Sequence, residues 1–242
     1  MKITNLGSKE YASFYVACEL YKKMCQNPHS KLGLATGGTM VDVYRFLVQI
    51  LERNQLDISQ IETFNLDEYV GLAAGHEESY HYYMDEVLFN QYPYFNRANI
   101  HIPNGDAVDL EAEAMRYEQE LNAQGPIDIQ ILGIGENGHI GFNEPGTAFD
   151  SQTHIVDLTE STIKANSRYF DDESEVPRQA ISMGLSSILK AKRIILLAFG
   201  EKKRDAIMKL MENNVTSDVP ATILHGHPRV EVYVDDDAMP KS

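Results

Sequence analysis

Residues 127–146 read IDIQILGIGENGHIGFNEPG. The first six, Ile127–Leu132, are apolar except for Asp128 and Gln130. A short apolar run bounded by turn residues reads as a strand. Gly133, Gly135 and Gly138 follow, and the stretch ends in His139, Asn143, Glu144 and Pro145. A strand thus delivers a glycine-rich loop that carries a histidine and a carboxylate.

The rest of the chain repeats the alternation of strand and helix. Before the loop, Ser8 caps a helix to about Gln26, with Tyr11, Phe14, Tyr15, Cys18 and Tyr21 on its apolar side. Lys31–Ala35 reads as a strand and Met40–Arg53 as a helix. Val41, Tyr44, Val48 and Leu51 form the apolar stripe of that helix, widened by Val43, Leu47 and Ile50. Ile61–Leu66 alternates like a strand, Glu78–Phe89 is helical, Ile100–Ile102 is a short strand, and Asp109 caps a helix to about Ala123. After the loop come a strand at His154–Leu158, a helix from Thr159 to about Phe170, an acidic loop, and a helix over Ile181–Leu189. A strand at Arg193–Phe199, a helix ending near Asn213, a short helix at Ala221–His225 and a strand at Val230–Val234 complete the chain. This order predicts an α/β fold: a Rossmann-like three-layer αβα sandwich around a mostly parallel central sheet. Residues 1–242 read as one domain, with 155–177 as a candidate lid.

Composition narrows the function. With 242 residues, 43% of them apolar, the chain can bury a sizeable core. No apolar run reaches the ~18 residues of a membrane span, and MKITNLGSKEY lacks a signal core. A soluble cytoplasmic protein is expected. Cys18 and Cys25 fall in one helix, roughly 10 Å apart along its axis, too far for a disulfide. A net charge of −15 argues against a nucleic-acid partner while leaving room for one locally bound phosphate.

In a parallel sheet, ligands bind beyond the carboxyl ends of the strands. Right-handed crossovers bring Thr36–Thr39, Asp67-Glu68, Gly133–Glu144 and Gly200–Lys203 to that edge. Thr36-Gly37-Gly38-Thr39 is either a phosphate cradle of backbone amides or an ordinary strand-to-helix turn. Asp67 and Glu68 offer either a general base with a raised pKa or a solvated cap. Gly133–Gly138 matches the dinucleotide pattern G-x-G-x-x-G, but Gly141, Pro145 and Gly146 prevent the long helix that pattern needs. His139 and Glu144 fit better as a coupled acid–base pair, the alternative being a histidine satisfied by loop backbone. Arg168 and Lys203 are candidate phosphate ligands, though Lys202 and Arg204 flank Lys203 and pattern alone does not choose. His76, His81, His225 and His227 lack the spacing of a metal site, and none is expected.

Four segments carry a family resemblance: Leu34–Thr39 (LATGGT), Phe64–Tyr69 (FNLDEY), Gly133–Pro145 (GIGENGHIGFNEP) and Ala165–Phe170 (ANSRYF). Through them the chain resembles the glucosamine-6-phosphate deaminases along nearly its whole length. The related phosphogluconolactonases share the sheet and a GxGxxGH loop that continues differently after the histidine. The resemblance implies conversion of glucosamine 6-phosphate to fructose 6-phosphate and ammonia, without metal or organic cofactor. It implies that Asp67 moves the proton from C2 to C1. It gives His139, supported by Glu144, the ring opening, and gives Thr36, Gly37, Gly38, Thr39, Arg168 and Lys203 the phosphate.

Two departures stand out. Longer members carry Asp where this chain has Asn137, so Glu144 must orient His139 with only hydrogen bonding from Asn137. Longer members are also hexamers activated by N-acetylglucosamine 6-phosphate. Thr153-His154-Ile155-Val156 lacks the basic pair of that allosteric site, so no such activation is expected, and a monomer is favoured. The alternatives are a phosphogluconolactonase, another sugar-phosphate isomerase, or a sugar-phosphate sensor. A sensor usually carries a DNA-binding module, and no basic helix-turn-helix segment is present.

Overall fold

A strand whose every residue is apolar can lie only in the middle of a sheet covered on both faces. Ile194–Ala198 (IILLA) is such a strand and is buried at each position. The computed structural model describes residues 1–167, 170 and 172–240. Its strands are β1 (Lys2–Asn5), β2 (Lys31–Leu34), β3 (Glu62–Asn65), β4 (Asp67–Tyr69), β5 (Ile100–His101), β6 (Ile129–Gly133), β7 (His154–Asp157), β8 (Gln179–Ser182), β9 (Ile194–Ala198) and β10 (Val230–Val234). Its helices are α1 (Lys9–Gln26), α2 (Val41–Asn54), α3 (Tyr80–Met84), α4 (Leu110–Gln124), α5 (Glu160–Asn166), α6 (Leu185–Leu189) and α7 (Arg204–Met211). A π-helical turn, Asp85–Phe89, continues α3.

Seven strands form one parallel sheet in the order β1-β10-β9-β6-β2-β3-β5. Helices flank it, which is the α/β layering expected from the alternation. A second sheet, β4-β8-β7, is antiparallel. It has its own apolar cluster of Tyr69, Leu72, Phe142, Leu158 and Ala180. The junction between the sheets matters most. Leu66 still donates to the Leu34 carbonyl at 3.1 Å, and one residue later Asp67 pairs with Ser182 of β8. The chain thus leaves the large sheet at the carboxyl end of β3 and carries Asp67 into the gap between the two sheets.

Several local expectations change. The buried side of α1 is Ala12, Ser13, Val16, Ala17, Leu20 and Met24. Tyr11 and Phe14 are exposed: aromatic rings tolerate a wet face, and the small residues set the close packing against the sheet. On α2, Val41 is exposed while Val43, Tyr44, Leu47, Val48 and Leu51 are buried. Ile181 and Ser182 belong to β8, and only Leu185–Leu189 is helical. The first strand, Lys2–Asn5, is too short and polar to read from pattern. It is held on the edge by pairing with β10. Both cysteines are free, with Cys25 exposed. Among the described residues, no helix is long and apolar enough to cross a membrane.

Candidate active site

The carboxyl ends of β9, β6, β2 and β3, neighbours in the sheet, open into a cavity of about 650 Å³. Thr36, Gly37, Thr39, Asp67, Asn137, His139, Glu144 and Lys203 all line it. Four stretches far apart in sequence therefore meet in one place. Gly38 does not line the cavity, and Arg168 lies outside the described residues.

The Thr36–Thr39 turn is fixed from both ends. The Tyr44 hydroxyl donates to the Ala35 carbonyl at 2.5 Å and accepts from the Ala35 N–H at 3.2 Å. Tyr83 donates to the Gly37 carbonyl at 2.8 Å, and the Lys9 ammonium donates to the Gly38 carbonyl at 3.0 Å. A trans peptide points its N–H opposite to its carbonyl. Donors holding these carbonyls therefore turn the next N–H groups the other way. No side chain caps the start of α2, so the first-turn amides remain for an anion or solvent.

Asp67 is only 6% exposed. Burial, with the charge of Glu68 added, pushes its carboxyl up to about 8. Gly141 keeps space beside it. At φ +57° and with no side chain, Gly141 lies where a Cβ would come 3.1 Å from Ser182 Oγ and 3.8 Å from Asp67 Oδ2. Tyr69, Tyr80 and Phe142 wall this side of the cavity, and the Tyr80 and Phe142 rings are parallel within 4°. Burial first, then Tyr69 and Asp67, hold the Tyr80 hydroxyl well above its usual range, so it stays a neutral hydrogen-bonding group.

His139 is held by the loop that bears it. Its backbone carbonyl accepts from the Gly135 N–H at 2.9 Å. Its imidazole lies against Gly135, where a Cβ would be 2.2 Å from Cε1. The second glycine of the G-x-G-x-x-G pattern therefore makes room for the imidazole. Asn137 donates through Nδ2 to Glu144 Oε2 at 2.6 Å. Its Oδ1 lies 2.7 Å from His139 Nδ1, and Glu144 Oε1 is 3.4 Å from the same nitrogen. A carboxylate only accepts, so the Asn137 amide nitrogen must face Glu144 and its carbonyl must face His139. The hydrogen-bond network therefore assigns the proton to Nδ1 and the lone pair to Nε2. Burial would raise the Glu144 carboxyl. The hydrogen bond and charge of His139, with the Asn137 amide, outweigh it and hold that carboxyl below its usual value.

The three basic residues after Gly200 have different surroundings. Lys203 lines the cavity. Lys202 is exposed and pairs with Glu136 at 3.8 Å. Arg204 is tied to Glu201 at 2.8 Å and to the Asp237 carbonyl. Burial lowers the Lys203 ammonium, opposed by the charge of Glu136. Elsewhere, His225 and His227 each reach a backbone carbonyl, at 2.8 Å and 2.6 Å. Among the described residues, no group of three or more His, Cys, Asp or Glu side chains could hold a metal ion.

Sequence reasoning missed Tyr69, Tyr80, Phe142 and Thr162 as cavity residues. Thr162 sits on α5, within the segment proposed as a lid. Tyr80 had a readable signal, a Ser79 cap at a helix start, but nothing in the pattern shows which way that helix faces.

Comparison with known proteins agrees with this geometry. The family model of glucosamine-6-phosphate isomerases and 6-phosphogluconolactonases matches residues 10–233. The glucosamine-6-phosphate deaminase of Staphylococcus saprophyticus is 76% identical over 241 residues, covering 100% of both chains. A solved monomeric glucosamine-6-phosphate deaminase is 45% identical with a TM-score of 0.95, over 98% of each chain. The 6-phosphogluconolactonase of Trypanosoma cruzi shares the fold, with a TM-score of 0.79 at 16% identity over 98% of this chain and 95% of that one. With the family model spanning nearly the whole chain and deaminases matching it end to end, the chain belongs to the glucosamine-6-phosphate isomerase/6-phosphogluconolactonase family, on its deaminase branch.

Proposed function

We propose that this chain converts glucosamine 6-phosphate and water to fructose 6-phosphate and ammonia, using the cavity at the carboxyl edge of the sheet. The observation that carries the reading is the meeting of a buried carboxyl, Asp67, with the Asn137–His139–Glu144 network in one cavity.

The phosphate binds the amides of the Thr36–Thr39 turn and the Lys203 ammonium, with Arg168 completing the set. Ring opening needs a proton taken from the C1 hydroxyl and one given to the ring oxygen as the C1–O bond breaks. His139 does both through Nε2, and Glu144 stabilises the imidazolium between the two transfers. The opened sugar has an aldehyde at C1 and an amine at C2. Asp67 removes the C2 proton, O1 takes a proton from solvent that is released again when water later adds at C2, and an enolamine forms. Asp67 then returns the proton to C1, and the nitrogen lone pair makes a C2 iminium. Water adds there and ammonia leaves, which gives the ketone. A carboxyl near 8 suits both halves of this transfer, because it takes and returns a proton with little driving force lost. The reaction asks for no metal or organic cofactor.

The reading places the enzyme in the cytoplasm, as a monomer without activation by N-acetylglucosamine 6-phosphate. Residues 155–177 act as a lid within a single domain, supported by Thr162, through which α5 reaches the cavity. The test supplies glucosamine 6-phosphate to purified protein and measures ammonia and fructose 6-phosphate. Equimolar products are expected. Ligand binding without product would point to a sensor, and hydrolysis of 6-phosphogluconolactone instead would point to a lactonase.

A further inference from the structure

Glu68 is the most enclosed carboxylate near the site, with 0% of its surface exposed. It does not line the cavity. Consecutive strand residues point to opposite faces, so Asp67 faces the cavity and Glu68 faces the start of α3. There its Oε1 accepts from the backbone N–H of Tyr69 at 2.8 Å and of Tyr80 at 2.9 Å. Its Oε2 accepts from the His81 N–H at 3.0 Å and meets His81 Nδ1 at 2.7 Å. Backbone N–H groups only donate, so both oxygens act as acceptors and Nδ1 completes the set. Gly105 closes the remaining side. A Cβ there would be 1.8 Å from the Tyr69 carbonyl oxygen and 3.2 Å from Glu68 Cγ.

A buried carboxylate is expensive and persists only where its donors are complete. Ser79 caps only the Tyr82 N–H of α3, and Glu68 takes the Tyr80 and His81 N–H groups that Ser79 leaves. We infer that Glu68 is a positioning residue for the proton transfer at Asp67, joining the base-bearing strand to the Tyr80 wall and setting a fixed negative charge behind the base. This inference rests on the deaminase reading for its kinetics, but not for its titration.

The wiring supports it. Through α3, Glu68 holds Tyr80, which lines the cavity, and the same helix places Tyr83 on the Gly37 carbonyl. The charge acts directly, since Glu68 adds to burial in raising the Asp67 carboxyl. Other ionisable groups about Asp67 include Tyr69 of β4, Tyr80 of α3 and Tyr117 of α4, the last two being neutral hydroxyls held well above their usual range. His139, Glu144 and Lys203 share its cavity. About Glu68 the titratable and charged groups are His81 on α3 and, beyond it, the Glu113–Arg116 pair of α4 at 2.7 Å.

Two variants of the full chain test this. Glu68→Gln keeps the shape and the acceptor for Tyr69 and Tyr80 but removes the charge. The acid limb of its kcat/KM profile should fall by roughly one pH unit. The Asp67 carboxyl 13C titration should fall with it, and that readout needs no turnover. His81→Ala removes a hydrogen-bond partner of Glu68 Oε2 and keeps the carboxylate, so the same limb and titration should stay or rise. A merely structural role would move both variants in one direction. A Glu68→Gln titration that stays at the wild-type value, or a His81→Ala titration that falls, overturns the inference. If Glu68→Gln does not fold, the sign of the His81→Ala shift decides. If the wild type turns over no glucosamine 6-phosphate, the functional reading fails while the 13C titrations still judge Glu68.

Discussion

Asn137 donates through its side-chain amide to Glu144 at 2.6 Å, and that bond fixes which nitrogen of His139 carries the proton. A charge at this position is therefore not needed to orient the ring. The amide reads the carboxylate on one side and presents a carbonyl on the other. The neutral His139 should be the Nδ1–H tautomer, which 15N chemical shifts report directly. An Nε2–H tautomer would remove Asn137 from this role.

Replacing Asn137 separates orientation from charge. Asn137→Ala leaves Nδ1 with Glu144 at 3.4 Å, and kcat/KM should fall about 10–100-fold. Asn137→Asp puts a second acceptor-only group beside Glu144 and Nδ1. It keeps an acceptor for Nδ1, so turnover should stay within about 10-fold. Turnover in Asn137→Asp as low as in Asn137→Ala would show that an acceptor at this position does not hold the ring.

Asp67→Asn removes the group proposed to move the carbon-bound proton. Turnover should drop at least ~1,000-fold, with KM or product affinity changed little. In the wild type, the acid limb of kcat/KM should lie near pH 8, where the buried carboxyl titrates. A limb near pH 4 would mean that Asp67 ionises as an ordinary carboxylate and that its burial does not poise it.

The same burial has a stability consequence with a definite sign. The folded-state value of about 8 lies above the ordinary 3.8, so the neutral acid favours the folded state. That contribution is complete below pH 3.8 and is lost as the pH rises through about 8. Asp67→Asn cannot ionise and escapes the loss. Its melting temperature should exceed that of the wild type by an amount that widens from pH 4 to 8, reaching on the order of 10 °C, and is constant above. Parallel melting curves across that range would contradict it.

Lys203 and Lys202 are adjacent in sequence but face different surroundings. Lys203→Ala should raise KM about 10–100-fold with kcat nearly unchanged, because the phosphate is held equally in ground and transition states. Lys202→Ala removes an exposed pair with Glu136 and should leave both constants alone. Equal effects would mean that the helix start, rather than one ammonium, binds the phosphate.

Much of this site was legible in the sequence because loops at the carboxyl ends of parallel strands converge by rule. Thr36, Asp67, His139, Glu144 and Lys203 needed only the strand order to be brought together. In the small sheet, β7 was legible as a strand but β4 and β8 were not. Asp67–Tyr69 is three residues long, and its partner Gln179–Ser182 runs into a helix, so neither has enough period to be seen. Tyr80 and Thr162 reach the cavity through that sheet and the helices packed near it, and so they were missed. On α1, the rings of Tyr11 and Phe14 outweighed Ala12 and Ala17, although small residues are what let a helix approach a sheet.

Gly135 offers the sharpest test of how the loop works. A nucleotide-binding loop needs its second glycine so that a pyrophosphate can approach the backbone. Here the space is already filled. A Cβ at residue 135 would meet Cε1, Nδ1 and Nε2 of His139 at 2.2, 2.3 and 2.6 Å. Gly135→Ala must therefore push the imidazole from its place, while the Thr36–Thr39 turn and Lys203 are on other loops. Turnover should fall about 100-fold through lost alignment, with the Asn137–His139 hydrogen bond broken in the 15N spectrum and KM close to that of the wild type. An alanine variant that weakens binding yet keeps turnover would mean that this glycine serves the ligand and not the histidine.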